Sequence, residues 1–253
     1  MNATVALFRN EVRMFARTPG VVVWMALPIL AAIVIAAIPA ARQPNEAFGG
    51  LSVSQAYTPT LTMFVISMTG LVLLPQVLGD YRELGFLRRL RTTPATVGNL
   101  LKAFLAVMVV LSLGAALIIA VTPLFFGVGG AVQPVRYALA VVLSTAAFLA
   151  LGTVLCALIP SPKAASGIGT AVAATQWFAA GMWFPRALFP DWLTTVSNLM
   201  PGGAATQLMT DAMFGVSTSP ASGWVASPAT SVIVCLVWAV IGIAVALKTF
   251  RWE

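Results

Sequence analysis

Titratable and nucleophilic side chains are scarce in this chain, and their placement excludes most chemistry. Among 253 residues only 14 are basic and seven acidic, and histidine is absent. The seven carboxylates (Glu11, Glu46, Asp80, Glu83, Asp191, Asp211 and Glu253) all fall outside the long apolar runs. A charge at mid-bilayer costs about 2.5–3.5 kcal/mol even on the lenient insertion scale, so Asp, Glu or His inside a span marks a proton relay. No such relay is available here, whereas sodium coupling through hydroxyls and backbone carbonyls stays open. No Ser/His pair, paired membrane aspartates or metal-ligand cluster suits catalysis, and no G-x-x-x-x-G-K-[ST] loop is present to cradle nucleotide phosphates. The two thiols, Cys156 and Cys235, sit within apolar runs, where free cysteine behaves as a small hydrophobe. The expectation is therefore no catalytic residue, no disulfide, no metal site and no cofactor bound by this chain.

Uncharged polar residues are the remaining candidates. Thr62, Thr69 and Gln76 recur every seven residues, with Thr58 one turn earlier, and Thr170, Thr175 and Gln176 form a second group. Such groups bond neighbouring helices in a membrane for about 0.6 kcal/mol each. They can equally line a path for an amphipathic solute, with Phe64, Met68 and Trp177 supplying adaptable apolar contact. The candidate path residues are Thr62, Phe64, Met68, Thr69, Gln76, Gln176 and Trp177.

The elements that must position them follow from composition. The chain is 60% hydrophobic and 8% charged, against about 25% charged for a soluble domain. Six runs, at 21–39, 57–78, 102–125, 137–159, 164–183 and 228–247, approach the roughly 20 apolar residues that cross a bilayer. None alternates with period two, so the fold class is an all-α integral membrane protein with six transmembrane helices in a single domain, 1–253. Eleven of the 14 basic residues fall on the side holding both termini and the 79–102 loop; only Arg42, Arg136 and Arg186 fall opposite. The positive-inside rule then places both termini in the cytoplasm of a multi-pass protein of the cytoplasmic (inner) membrane. The net charge of +7 is thereby accounted for by topology and contact with membrane lipids, not nucleic acid.

Residues 1–20 predict an amphipathic interfacial helix, with Val5, Phe8, Val12 and Phe15 on one face and Arg9, Arg13 and Arg17 beside it, ended by Thr18-Pro19-Gly20. Residues 184–227 are too broken by proline to span and predict one or two short helices in an external re-entrant segment. Trp183, Trp192 and Trp224 fit an aromatic belt there. Ala165, Gly169 and Ala173 form a ladder for close helix packing, within one chain or across a dimer.

The loop at 79–101 is the most charged part of the chain: the stretch 79–102 carries seven of its 21 charges between two spans. Leu84, Phe86, Leu87 and Leu90 would share one side of a short helix that Thr92-Thr93-Pro94 stops. The pattern Glu83-x-Gly85-x-Leu87-x-x-Leu90-x-x-x-Pro94, followed by Lys102, resembles the cytoplasmic loop of type-2 exporter permeases of the ABC transporter family, and Phe189-Pro190-Asp191-Trp192-Leu193 resembles that family's external helix entry. The resemblance implies a coupling helix seated in a groove of a separate ATPase subunit. Glu83, Gly85, Leu87, Arg88, Leu90, Arg91 and Pro94 would lie in or beside that contact, with ATP and Mg held by the partner ATPase. It also implies a second permease copy or a related chain, second and fifth spans flanking the path, and export of a hydrophobic or amphipathic, drug- or lipid-like solute. An ion-coupled carrier or channel, or a membrane assembly protein, remains open on the residues alone.

Overall fold

The computed structural model describes residues 3–83, 97–159, 161–216 and 226–249. Among these the regular structure is helical, with one isolated bridge between Pro44 and Ser52 and no strand. Helix α1 (Ala3–Arg17) ends where Thr18 turns extended and Pro19 opens α2 (Pro19–Ala37). Proline at the first turn loses no hydrogen bond and arrives with a helical φ; Pro134, Pro162 and Pro201 open later helices in the same way. The second span is one continuous rod: α3 (Val53–Ser67), a π segment (Met68–Leu73) and α4 (Leu74–Glu83). A capping box starts it, with Gln55 N–H donating to Ser52 Oγ at 3.2 Å and Ser52 N–H to Gln55 Oε1 at 2.9 Å.

Next come α5 (Val97–Phe125), α6 (Pro134–Leu158), α7 (Pro162–Ala179), the short helices α8 (Asp191–Leu199) and α9 (Pro201–Phe214), and α10 (Pro228–Thr249). Five of the six expected spans are long and apolar enough to cross a membrane. The sixth run forms α7, an 18-residue helix whose Gly, Thr, Ser and Gln content keeps it short of that composition.

Burial sorts the helices. Val22, Val23, Leu27, Leu30 and Val34 leave one side of α2 exposed, and Ile233, Leu236, Val237 and Val240 do the same for α10, the distribution a lipid-facing helix requires. The second span lies at the centre, with Thr58 to Ser67 buried without interruption. Helix α9 is equally enclosed, every residue from Pro201 to Thr210 being buried against α3, α6 and α10. Helix α1 packs on α5 through Phe15, whose ring lies 6.0 Å from Phe104, and buries Glu11. The inward face is rotated from the expected one, since Val5 and Val12 are exposed. Two of the three arginines opposite the basic loop are structural. Arg42 donates to the carbonyls of Ala36 and Ala37 at 2.7 and 2.9 Å, closing the C-terminus of α2. Arg186 is buried and bonds Gly203 O at 3.0 Å and Asn198 Oδ1 at 2.6 Å.

Candidate functional site

The site begins with a proline. Pro75 has no N–H, so the carbonyl of Leu71 loses its ordinary helical donor, and Leu74 N–H reaches back to Thr69 O, a π-type bond. The displaced carbonyls are received by glycines. A Cβ at Gly152 on α6 would fall on the oxygen of Gly70, and one at Gly169 on α7 would fall on the oxygen of Leu71. Gly70 itself lies against the backbone of Phe148. Helices α6 and α7 therefore clasp the π segment backbone to backbone. The Ala165–Gly169–Ala173 ladder is spent on this intrachain contact, all three residues being buried.

A cavity of about 310 Å³ opens between the same rod, α1 and α2. Its apolar wall includes Phe15, Trp24, Met25, Val65, Met68 and Val72, and its polar groups are Thr18, Thr69, Gln76, Asp80 and Tyr81. From Val65 to Tyr81 the wall runs about 24 Å at 1.5 Å per residue, close to one leaflet plus its headgroups. Thr69 Oγ1 donates to Val65 O at 2.8 Å, while Gln76 and Asp80 are exposed. The Tyr81 hydroxyl donates to Glu11 Oε2 at 2.6 Å, tying α1 to α4 at the end of the cavity nearest the basic loop. Glu11 is 2% exposed. Burial pushes its carboxyl above the ordinary 4.5, and the Tyr81 hydrogen bond offsets part of that rise.

The candidate path residues divide between two places. Met68, Thr69 and Gln76 line the cavity. The other four join helices in the interior. Thr62 meets the Tyr137 hydroxyl at 2.9 Å. Phe64 packs on Trp177 with ring centroids 4.7 Å apart, and Trp177 Nε1–H donates to Ser67 Oγ at 2.8 Å. Gln176 Oε1 accepts from Gly202 N–H at 2.9 Å, closing the first turn of α9. The seven-residue row of Thr62, Thr69 and Gln76 assumes an unbroken α-helix; the wider π turn re-phases everything after it. Glu83 is the last residue of α4. Gly85, Leu87, Arg88, Leu90, Arg91 and Pro94 lie outside the described residues.

Sequence reasoning missed Trp24, Met25 and the Glu11–Tyr81 pair. A signal for Glu11 existed: it lies three residues after Phe8 and four before Phe15, on their face rather than among the arginines.

No curated protein matches the chain. The family model described as ABC-2 type transporter matches residues 2–214, which take in α1, the whole π-interrupted rod, the cavity and both short helices. The chain belongs to the ABC-2 type transporter family and is a multi-pass permease, the membrane component of an ABC transporter.

Proposed function

We propose that this permease exports a hydrophobic or amphipathic solute from the cytoplasm, driven by ATP and Mg bound on a separate ATPase. Two permease copies, or this chain and a related one, form the pore in the inner membrane with both termini cytoplasmic. The segment around Glu83, Leu87, Leu90 and Pro94 docks in the ATPase, and alternating access follows: closure of the ATPase pair moves the 82–94 segments, and the spans reopen outward. Met68, Thr69 and Gln76 contact the cargo.

One observation carries this reading. The cavity wall and the root of the docking segment belong to a single helical rod, Val53 to Glu83, so displacement at one end is delivered to the other. Midway it carries the π segment, where an insertion of this kind interrupts the regular ladder and often accompanies function.

The test is purification of the chain from native membranes, followed by identification of what copurifies. An ATPase subunit is expected, and the double change Leu87→Asp with Leu90→Asp should abolish cargo-stimulated ATP hydrolysis while the helices stay folded. Retained stimulation would remove the docking role. Cargo movement by the purified chain alone in liposomes without ATP would establish an ion-coupled carrier or channel instead, and stable partner binding without any solute movement would establish a scaffold.

A further inference from the structure

The cavity beneath α1 has a chemistry more specific than greasiness. Among the described side chains that line it, Asp80 alone is of a charged type. It stands at the end toward Glu83, where α4 stops, with Gln76 one turn before it and apolar wall beyond. Arg13 and Arg17 of the adjoining helix are exposed and do not line the space. Trp24, half exposed, presents a broad apolar ring, and Met14, Met25 and Met68 supply adaptable contact for a chain of variable shape. Glu11, the carboxyl that α1 brings to this end, is engaged by Tyr81.

We infer that the space between α1, α2 and the second span is a binding site for a cationic amphipath taken sideways from the adjoining leaflet, its ammonium group held at Asp80 and its apolar part laid along Trp24, Met68 and Val72. This rests on the permease reading and deepens it by naming the charge of the cargo. A carboxylate at the mouth of a mostly apolar slot attracts a cation and repels fatty-acid-like or sulfated amphipaths, so one residue supplies both selection and rejection. The length of the slot matches an extended chain of about a dozen or more methylenes, which exchanges one apolar surrounding for another on entering from the leaflet. That apolar term is common to all amphipaths and cannot discriminate; the charge does.

The experiment uses the full chain, without ATPase, in phosphatidylcholine nanodiscs. Three bromine-labelled C14 probes are titrated: a trimethylammonium, the neutral alcohol and the sulfate. Quenching of Trp24 is read as the difference between wild type and Trp24→Phe. The ammonium should give saturable quenching. Asp80→Asn should weaken it about tenfold while leaving the alcohol unchanged, and Asp80→Glu should restore it. Val72→Phe, which fills the slot, should abolish binding of both ammonium and alcohol, with helix content checked by circular dichroism. The inference is overturned by sulfate binding as tight as ammonium binding, by an Asp80→Asn variant that binds the ammonium as wild type does, or by quenching that only rises linearly with probe in the bilayer. Because no ATPase is present, such a failure leaves the copurification result standing, and loss of the ATPase partnership leaves the cavity result standing.

Discussion

The carbonyl oxygen of Leu71 points into the space where residue 169 would carry a Cβ, so Gly169 is the condition for α7 to lie against the second span. Pro75 frees that carbonyl four residues ahead of itself, and the glycine on a different helix accepts its approach. Contacts of this kind bring Cα–H groups to the oxygen, each worth about 0.5–1 kcal/mol.

Gly169→Ala should accordingly lower stability by about 1–3 kcal/mol, the usual result of overpacking. For a chain of this size that is a fall of several degrees in the apparent melting temperature of detergent-purified protein. Gly167, two residues away on the same helix, has open space where its Cβ would go. Gly167→Ala should therefore leave the melting temperature unchanged or raise it, since alanine is favoured over glycine by about 1 kcal/mol in a helix. Equal effects at the two positions would refute the clasp.

Much of the architecture was legible because apolar runs and proline punctuation are local properties. The break at Thr18-Pro19 and the short helices after residue 184 could be read that way. What escaped depends on partners distant in sequence. Nothing local distinguishes α9, buried on all sides, from a helix lying at an interface, because its small residues suit both. The π segment is equally silent: Pro75 announces a kink, but the widened turn packs on Gly152 and Gly169, which are distant in sequence. Without it the polar row from Thr62 to Gln76 looks continuous, when Thr62 serves Tyr137 and Gln76 faces the cavity.

That division predicts different outcomes for two glutamines. Gln176→Leu keeps the bulk and removes the acceptor of Gly202 N–H, leaving a buried donor unpaired at the start of α9 at about 1–3 kcal/mol. Gln76→Leu changes an exposed cavity residue and should stay within about 0.5 kcal/mol of wild type. Thermal unfolding of the two variants side by side separates the roles.

Arg186 is a further stability determinant. Burial pushes its guanidinium down to about 10, which still leaves it charged at neutral pH, bonded to Gly203 O and Asn198 Oδ1. Arg186→Met should cost about 2–3 kcal/mol, because buried acceptors lose a charged donor. Arg186→Lys retains the charge but not the planar fork that reaches two acceptors, so its melting temperature should fall between those of wild type and the Met variant. A lysine variant as stable as wild type would show that charge alone suffices.

The Glu11–Tyr81 bond predicts a pH dependence of definite sign. Burial holds the Glu11 carboxyl above 4.5, so the folded protein binds that proton more tightly than the unfolded chain does. The resulting stability is fully present below about pH 4.5 and is lost as pH rises through the folded value. Glu11→Gln keeps an oxygen to accept from Tyr81 but cannot ionise. Subtracting its melting curve from that of wild type at each pH should leave a difference that is smallest in acid and grows in favour of the glutamine variant as pH rises. Tyr81→Phe removes the donor that favours the ionised carboxylate, so the loss in that variant should extend to higher pH than in wild type. A flat difference curve would place Glu11 in solvent and dissolve the tie between α1 and the end of the second span.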